Sequence, residues 1–466
     1  MEKCRRSYIE KEVLSKVKPS RNKNREIKTI VDAITMVIEE YIKKNNIDAE
    51  ITIEGSYAKG TWLADELDVD LFILAKPELC KKITQREFVE ELETYFRERS
   101  YRVKREYAQH PYLAVIHRNI SIDIVPGCKV ESPKNIQTAV DRTPFHRKYV
   151  LARLSEEQKD EVRLLKSFMK GINVYGAEVG VKGFSGYLAE LLIVRYKCFR
   201  NVLEAASRWI PPVVIDIENH YEEKKKLIEK YPQQPLIVVD PVDPSRNAAA
   251  AVSLKSLATF IFAAQKYLEK PSIKYFHIQR IEKEEKKKIE VPCLIICLKP
   301  DSEISRDNLW GTIQRIARTL AKTLKNYDAK VVNYATYCPE NAKRGWIILE
   351  FESTKLPPYR EYRGPPVWMK EHAKKFLKKH LEYKDTVKLW INEEGRLAAL
   401  VKQRITNIEK IIEEILSKRD LLPKHARNYE IQIMGIPQAT QEMNEEERKW
   451  LVNTVMKNPP WAEDTT

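Results

Sequence analysis

A chain of 466 residues is too long for one ordinary hydrophobic core, because domains usually hold roughly 100 to 200 residues each, and its length predicts three or four domains. Lysine and arginine number 82 against 67 aspartates and glutamates, a formal net charge of +15 that favours an anionic partner, with nucleic acid the first candidate. A basic surface that serves solubility alone is the alternative. No stretch reaches the roughly 18 uninterrupted apolar residues of a membrane span, and the first residues lack a signal-peptide core, so a soluble cytoplasmic protein is expected.

The seven cysteines are scattered along the chain and include no Cys-x-x-Cys pair. They lie at positions 4, 80, 128, 198, 293, 297 and 338. An odd number at such spacings indicates neither a disulfide framework nor a zinc site, and it is typical of a reducing interior.

Residues 1–50 are charged and helix-periodic, with an apolar stripe along residues 30–42 that predicts a helix packed behind the following sheet. Residues 51–74 read ITIEGSYAKGTWLADELDVDLFIL and predict a strand, a Gly-Ser turn, a short helix and a second strand. In the turn, glycine lets the backbone approach a ligand, and the Ser56 hydroxyl can donate to a phosphate oxygen. Residues 58–63 are predicted as a helix whose N-terminal amides face that anion, with Lys59 in its first turn.

Two aspartates lie at the start of the second strand. Asp68 and Asp70 are two residues apart, so both carboxylates project from one side of the strand. Their mutual repulsion favours a cation, and a hard divalent ion such as Mg²⁺ takes carboxylate oxygens while leaving room for substrate phosphates. A bare Asp-x-Asp pair is more often two solvated surface acids. The Gly-Ser turn upstream shifts the interpretation toward nucleotide chemistry.

A third acid follows a polar helix around residues 84–98 and strands at 103–107 and 113–117. Asp123 lies among isoleucine and valine on the next strand, where a lone acid is costly to bury without a partner. If this strand lies beside the strand of Asp68, three carboxylates converge and can hold two Mg²⁺ ions. One ion would lower the pKa of an attacking hydroxyl, and the other would neutralise a triphosphate as pyrophosphate leaves.

Helical patterns dominate the next part of the chain. Ser155 and Gln158 form a capping-box pattern for a helix to about Lys170, and this helix carries a basic stripe that includes Lys166. Basic stripes are usually solvated helix faces. Residues 185–209 are apolar nearly all round in their first half and predict a helix buried within a helical domain.

A strand at residues 236–239 leads into a turn ahead of an alanine-rich segment that is predicted to be a helix. Arg246 would then point from a helix start toward the cleft. A structural turn arginine is the alternative.

The C-terminal half predicts a different organisation. Strands at 293–298, 330–337 and 346–351, with a helix at 308–324, predict a small sheet with helices on one face. Beyond the prolines of residues 357–366, the pattern predicts a lysine-rich helix at 369–380, a hairpin at 387–403 and a helix at 408–418. Basic helices of this kind can lie along a phosphate backbone. The end of the chain after Gln441 is expected to be peripheral and mobile.

The Gly55-Ser56 turn, Asp68-x-Asp70 and Asp123 together resemble the pattern of the DNA polymerase beta nucleotidyltransferase superfamily. That pattern implies nucleotidyl transfer and no particular substrate. A longer resemblance, over the first 270 residues, is to the archaeal, class I CCA-adding enzymes, and it is looser beyond them. Its segments are SPKNI (132–136), DRTPFH (141–146), EVRLLK (161–166), YGA (175–177), GFSGYLAELLI (183–193) and VVDPVDPSRNAAAAVS (238–253).

The resemblance implies a set of site residues. Ser56 and Lys59 would contact the incoming triphosphate, although the family usually has arginine at the second position, and lysine lacks the planar fork of arginine. The catalytic metal ligands would be Asp68, Asp70 and Asp123, the nucleotide site would be completed by His146, Lys166 and Tyr175, base recognition would fall to Arg246, and His110 is a further candidate for phosphate contact.

The implied fold class is α+β multidomain. It comprises a polymerase-beta-like nucleotidyltransferase head (1–150), a helical central or neck domain that completes the nucleotide site (151–270), an α+β body domain (271–356), a tRNA-binding tail (357–440) and a C-terminal extension (441–466).

The implied function is template-independent addition and repair of the 3′-terminal CCA of tRNA from CTP and ATP, with two Mg²⁺ ions and release of pyrophosphate. The implied partners are the tRNA 3′ end and the two nucleotides, with no membrane. Relatives are often dimeric, and a homodimer stays open. A poly(A)-type or small-molecule nucleotidyltransferase on the same head is one alternative. A catalytically silent RNA-binding relative is another, and the three intact carboxylates argue against it.

Overall fold

The computed structural model describes residues 4–107, 111–117, 120–277, 291–419 and 422–455. The chain forms two compact units that meet in sequence at residues 284 and 285. All the predicted site residues precede that break, so the first unit is the one that concerns the chemistry. None of the described helices is long and apolar enough to cross a membrane. The finer division into five segments stays a prediction.

The first unit opens with two helices and a five-stranded sheet. The helices are α1 (Tyr8–Val17) and α2 (Arg21–Lys44), and the strands are β1 (Ala49–Glu54), β2 (Asp68–Ala75), β3 (Arg102–Tyr107), β4 (Pro111–His117) and β5 (Ile120–Cys128). Helices α3 (Gly55–Lys59), α4 (Pro77–Ile83) and α5 (Arg86–Glu98) lie between the strands in sequence. The sheet order is β1-β2-β5-β4-β3, and β2 and β5 run parallel while the other neighbours run antiparallel.

The apolar stripe of α2 packs on the sheet that carries the aspartates, as the sequence predicts. Ile30, Ile34 and Ile38 are at most 5% exposed and share one hydrophobic core with Leu71 and Ile73 of β2. Burial of each such isoleucine stabilises the fold by roughly 1.5 to 3 kcal/mol. The apolar face of β2 is therefore held against α2, and its acidic residues face the opposite way.

The short helix after the Gly-Ser turn begins and ends earlier than predicted. Instead of residues 58–63, α3 spans Gly55–Lys59. Gly60 has a φ of +68°, a left-handed conformation that ends the helix. Lys59 is therefore the last residue of α3 rather than part of a first turn, and the expectation of N-terminal amides at residues 58–63 is wrong.

Helices around one large core form the remainder of the first unit. They are α6 (Thr143–Arg153), α7 (Glu156–Gly171), α8 (Gly186–Tyr196), α9 (Phe199–Ala206), α10 (Lys224–Lys230) and α11 (Leu254–Glu269). A parallel pair of short strands, β6 (Val213–Asp216) and β7 (Leu236–Val239), lies among them.

Three predictions for this helical part have different outcomes. The capping box of Ser155 and Gln158 at the start of α7 is confirmed. The predicted helix of residues 185–209 is two helices, because Lys197 has a φ of +72° and breaks it. The alanine-rich segment after Arg246 forms turns instead of a helix, and α11 begins only after the Ser253 cap.

The second unit contains a four-stranded sheet with the order β14-β8-β10-β9. Its strands are β8 (Cys293–Lys299), β9 (Val331–Tyr337), β10 (Gly345–Phe351) and β14 (Glu430–Met434), and its helices are α12 (Arg306–Leu324), α14 (Ile408–Ser417), α15 (Ile436–Glu442) and α16 (Glu445–Val455). Helices α12 and α14 cover one face, and α15 and α16 cover the other. The prediction of helices on one face is therefore wrong, because the unbroken apolar runs of β8 and β10 bury side chains in both directions.

The end of the chain is part of this core as far as residue 455. Leu451 and Val455 of α16 are at most 6% exposed and pack with Ile295 and Ile348. The buried Glu447 accepts a hydrogen bond of 2.9 Å from the indole Nε1 of Trp346. The expectation of a peripheral extension after Gln441 is wrong for these residues, and residues 456–466 lie outside the described part of the chain.

A smaller sheet in the second unit has the order β11-β13-β12. Its strands are β11 (Tyr359–Pro366), β12 (Thr386–Ile391) and β13 (Arg396–Lys402), with α13 (Lys370–Glu382) between the first two in sequence. The predicted hairpin is confirmed, since β12 and β13 pair antiparallel around residues 392–395.

Two disulfide bonds contradict the expectation from cysteine spacing. Cys4 is joined to Cys198 with a Cα–Cα distance of 5.8 Å, and Cys80 is joined to Cys128 with a Cα–Cα distance of 5.2 Å. Cys293, Cys297 and Cys338 are free and buried. Partners 194 and 48 residues apart are brought together only by tertiary packing, so their spacing along the chain carries no signal of the pairing.

The disulfides predict a thiol count and a stability effect. Unfolded protein without reductant should show three reactive thiols by titration, and reduced protein should show seven. Cys80→Ser should lower the free energy of unfolding by about 4 kcal/mol, the loop-entropy value for a closed loop of this length. Cys338→Ser, a change at a buried free thiol, is the control for the loss of one sulfur. Seven reactive thiols in unreduced protein would contradict both bonds.

Candidate active site

The register of the sheet brings three predicted carboxylates together where the interior strands β2 and β5 pair. Asp70 on β2 pairs directly with Asp123 on the parallel strand β5, and Asp68 pairs with Ser121. Asp68 and Asp70 lie on the same face of β2 because side chains alternate along a strand. We call Asp68, Asp70 and Asp123 the aspartate cluster.

Burial and mutual repulsion act on the carboxyl groups of Asp70 and Asp123 in the aspartate cluster. Burial and the charge of Asp68 raise the pKa of Asp70 to about 6, and the charge of Lys59 only partly opposes them. Burial and the charges of Asp70 and Asp68 raise the pKa of Asp123 to about 7, although the Ser121 hydroxyl donates a hydrogen bond of 3.3 Å to its Oδ1. Oxygen ligands under mutual repulsion fit a hard divalent cation such as Mg²⁺.

Gly55 allows the backbone to pass directly against this cluster. Its φ is +69°, and a Cβ added there would collide with the Asp70 carboxylate, at 3.0 Å from Cγ. Only glycine combines that conformation with that approach. The adjacent Ser56 is half-buried on α3, so the predicted Gly-Ser turn does lie beside the predicted aspartates.

Lys59 and Lys166 meet around a buried glutamate. Nζ of Lys59 lies 2.5 Å from Oε2 of Glu190 on α8, and Thr61 Oγ1 donates a hydrogen bond of 2.6 Å to Oε1 of the same carboxylate. Nζ of Lys166 donates to the carbonyl oxygen of Thr61 at 3.1 Å. We call Lys59, Thr61, Lys166 and Glu190 the lysine cluster. Burial lowers the pKa of Lys166 to about 8, although the charge of Glu190 raises it.

The hydroxyl of Tyr175 packs against the first turn of α8, beside the lysine cluster. A Cβ added at Gly186 would be 3.0 Å from the hydroxyl oxygen of Tyr175 and 3.5 Å from Nζ of Lys166. Burial raises the pKa of the Tyr175 hydroxyl, and the charges of Glu190 and Asp68 raise it further. The hydroxyl is therefore a neutral hydrogen-bond donor between the lysine and aspartate clusters.

His146 and Arg246 share the carboxylate of Asp240. His146 Nε2 lies 3.0 Å from Oδ2 of Asp240, and Arg246 donates to the same oxygen at 2.7 Å. Tyr187 donates to Oδ1 at 3.1 Å, and its ring stacks on His146 with centroids 4.0 Å apart. Burial alone would raise the pKa of Asp240, but its hydrogen bonds and the charge of His146 hold it well below its ordinary value. We call these four residues the Asp240 cluster.

The three clusters are neighbours within the first unit. Nζ of Lys59 lies 5.7 Å from the ring centroid of Tyr187, which joins the lysine cluster to the Asp240 cluster. Lys59 also acts electrostatically on Asp70. The structure therefore groups the predicted site residues, and it places Arg246 in a salt bridge within a turn rather than at a helix start. His110 lies outside the described residues.

A separate cavity of about 780 Å³ is lined by Tyr57, Trp62, Arg147 and Arg163, and by none of the three aspartates. Its cations are already paired: Arg147 Nε lies 3.0 Å from Glu54, and Arg163 Nη1 lies 2.7 Å from Asp160. The charges of these two arginines are satisfied by the protein, and the cavity lacks the three aspartates that the chemistry needs.

Comparisons with known proteins cover both units. Residues 35–146 match a nucleotidyltransferase domain, residues 160–277 match the second domain of tRNA nucleotidyltransferase, and residues 291–432 match the C-terminal domain of the CCA-adding enzyme. The CCA-adding enzyme of Sulfurisphaera tokodaii is 37% identical over 453 residues, which are 97% of this chain and 99% of that protein. The CCA-adding enzyme of Sulfolobus acidocaldarius is 35% identical over 456 residues, 98% of this chain and 99% of that protein. The chain belongs to the archaeal, class I CCA-adding enzymes.

Membership among the CCA-adding enzymes confirms the predicted fold class, with a polymerase-beta-like nucleotidyltransferase head, a helical second domain and a C-terminal α+β part. It also shows that the chain is a nucleotidyltransferase. Among solved structures, the Cid1 poly(U) polymerase with Mg 3′-dATP bound has a TM-score of 0.44 and 17% identity, over 56% of this chain and 94% of that one.

Sequence reasoning missed the partners that fix the cations in this CCA-adding enzyme. Glu190, Asp240 and Tyr187 were not among the predicted site residues. Glu190 had a detectable signal, since it is the one charged residue in the apolar run of residues 186–194, and a buried acid requires a partner. Asp240 follows a fully apolar strand and had a weaker signal of the same kind.

Gly55→Ala should abolish nucleotide incorporation by this CCA-adding enzyme, because the added methyl group displaces the Asp70 carboxylate. It should also lower the free energy of unfolding by roughly 1 to 2 kcal/mol, the cost of an L residue in the left-handed region. Gly60→Ala is the matched control, since its φ is +68° and its Cβ would lie an ordinary 3.4 Å from Lys159. Thermal unfolding should show similar losses for both variants, and only Gly55→Ala should lose incorporation. Equal activity of the two would contradict the contact with Asp70.

Proposed function

We propose that this chain adds and repairs the 3′-terminal CCA of tRNA, using CTP and ATP without a nucleic-acid template and releasing pyrophosphate. The observation that carries the proposal is the pairing of Asp70 with Asp123 on parallel strands, in a chain that matches CCA-adding enzymes over nearly its whole length. Because the substrate is tRNA, we infer that the reaction takes place in the cytoplasm.

Asp68, Asp70 and Asp123 would hold the divalent cations, for which Mg²⁺ is the proposed ion. When bound, such ions lower the pKa of an attacking hydroxyl and neutralise charge on a triphosphate. In the reaction, the 3′-hydroxyl oxygen of the tRNA loses its proton and forms a bond to the α-phosphorus of the nucleotide. The bond from that phosphorus to the oxygen that bridges the α- and β-phosphates breaks, and pyrophosphate leaves with that oxygen. The part-buried Asp70 and Asp123 and the exposed Asp68 would supply the oxygen ligands.

The lysine cluster would bind the phosphates of the incoming nucleotide. It holds two ammonium groups and one carboxylate, so one positive charge is left for an anion. The Tyr175 hydroxyl, near Nζ of Lys166, would donate to a phosphate oxygen. Ser56, beside Gly55 on α3, would do the same from the side of the aspartate cluster.

The Asp240 cluster would form the surface that contacts the bound nucleotide and orients its base. Asp240 holds His146 against the Tyr187 ring and holds Arg246 by its guanidinium. The side chain of Arg246 is 40% exposed, so its remaining N–H groups can meet a base edge. The assignment of Arg246 to base recognition is the most specific part of the proposal.

Incubation of the chain with tRNA lacking its CCA end should give incorporation of C from labelled CTP, followed by A from ATP. Asp123→Asn should lower incorporation by at least about 100-fold. Even the mutation of a residue that only hydrogen-bonds to a metal ligand lowers activity by about 10- to 100-fold. tRNA binding should be unchanged. Asp48→Asn is the control, since Asp48 is a 66% exposed acid of the same unit in a salt bridge with Lys76.

Addition of A alone would favour a poly(A)-type enzyme, and transfer to a small acceptor alone would favour a small-molecule nucleotidyltransferase. Either result would contradict the proposed function. Full activity of Asp123→Asn would contradict the assignment of the aspartate cluster.

A further inference from the structure

One buried carboxylate connects the two lysines of the lysine cluster. Glu190 has no exposed surface and lies between apolar neighbours on α8. Its Oε2 lies 2.5 Å from Nζ of Lys59, and its Oε1 accepts a hydrogen bond of 2.6 Å from Thr61. Both oxygens therefore hold groups at the end of α3, some 131 residues earlier in the chain.

Thr61 extends this connection to Lys166. Nζ of Lys166 lies 3.1 Å from the carbonyl oxygen of Thr61 and 3.4 Å from its hydroxyl oxygen. Thr61 is fully buried and Lys166 is 2% exposed, so water does not hold either group. Glu190 thus fixes Lys59 directly and Lys166 through one threonine.

The charges around Lys166 leave one positive charge without a partner. Glu190 is the carboxylate that acts on it, while Lys59 and Arg163 repel it. Arg163 is itself balanced by Asp160 at 2.7 Å, and the nearby Tyr175 hydroxyl is neutral. Two ammonium groups therefore share one carboxylate where little of either is exposed, at 7% for Lys59 and 2% for Lys166. An anion that enters this space relieves the imbalance.

We infer that Glu190 is a positioning residue for nucleotide phosphates, which holds Lys59 and, through Thr61, Lys166 where both meet the triphosphate. This inference rests on the proposed function of the site. Glu190 touches neither substrate nor the aspartate cluster. Since CTP and ATP share the triphosphate and differ in the base, its effect on the two nucleotides should be the same.

Glu190→Gln tests the inference, because the amide keeps the shape and removes the charge. Loss of a nearby opposite charge lowers a lysine pKa by about one unit or more, so the protonated fraction of Lys166 at pH 8 should fall about fivefold, from about one half to about one tenth. The KM values for CTP and for ATP at pH 8 should rise by the same factor, about fivefold or more, with a smaller change in kcat. In the unchanged protein KM should rise as the pH passes about 8, and in Glu190→Gln that rise should begin at lower pH.

Two further variants separate positioning from folding. Glu161→Gln removes another buried carboxylate of the same unit, 2% exposed and 2.6 Å from Arg6, and it should lower stability while leaving both KM values unchanged. Glu190→Asp keeps the negative charge on a shorter side chain, and it should return KM toward the value of the unchanged protein. A residue with a structural role alone would give no such rescue.

Binding of inorganic tripolyphosphate, measured by calorimetry, gives a readout that does not need activity. Glu190→Gln should weaken this binding about fivefold at pH 8, and Glu161→Gln should not. If Glu190→Gln does not fold, Lys59→Met alone should weaken the same binding, because Glu190 then cancels the charge of Lys166. Equal binding by all variants, a KM change for one nucleotide only, or no rescue by Glu190→Asp would overturn the inference. Failure of the unchanged protein to add C and then A would overturn the proposed function, while the tripolyphosphate result would stand.

Discussion

The parallel pairing of β2 with β5 is the constraint on which the rest of the site depends. It sets Asp70 beside Asp123 across one strand spacing of about 4.8 Å. Both side chains are partly buried there, so their like charges repel strongly. The register is fixed from the other face, where Leu71 and Ile124 are fully buried. A slip of one residue would turn the aspartates into that core and the apolar side chains out of it. Hydrophobic burial therefore holds together carboxylates that would otherwise separate.

Helix α7 applies the same principle to the end of α3. Arg163 donates hydrogen bonds to the carbonyl oxygens of Gly60 and Trp62, and Lys166 donates to that of Thr61 between them. Three successive carbonyl groups at the end of a short helix are thus satisfied by two basic side chains one helical turn apart. These side chains are buried for that reason, at 7% and 2% exposure. Helix α7 therefore holds the segment after α3 by hydrogen bonds, and α2 holds β2 by apolar packing.

The sequence predicted what depends on local periodicity. Alternation along β2 placed Asp68 and Asp70 on one face, and the stripe of α2 predicted its packing on the sheet. Asp123 was expected to join them on the condition that its strand lay beside β2, which the structure shows. The resemblance supplied His146, Lys166 and Tyr175, which periodicity alone treats as unremarkable. Contacts between residues far apart in sequence could not be predicted from periodicity. They include the disulfides and the burial of the α7 basic stripe against carbonyl groups about 100 residues earlier. The two-sided burial of the second sheet was a missed signal, since an apolar run such as that of β8 favours burial on both faces.

The aspartate cluster and the lysine cluster have opposite and complementary charge deficits. The aspartate cluster raises the pKa values of its own carboxyls and requires a cation, while the lysine cluster lowers the pKa of Lys166 and requires an anion. Lys59 acts on both, since it pairs with Glu190 and also lowers the pKa of Asp70. A metal ion alone or a triphosphate alone satisfies one deficit. A triphosphate that arrives with its divalent cations satisfies both together, so the electrostatics of this site favour the complex over either component. Lysine at position 59 suits that arrangement, because a compact ammonium group can sit between two acids where the planar fork of arginine would need a wider space.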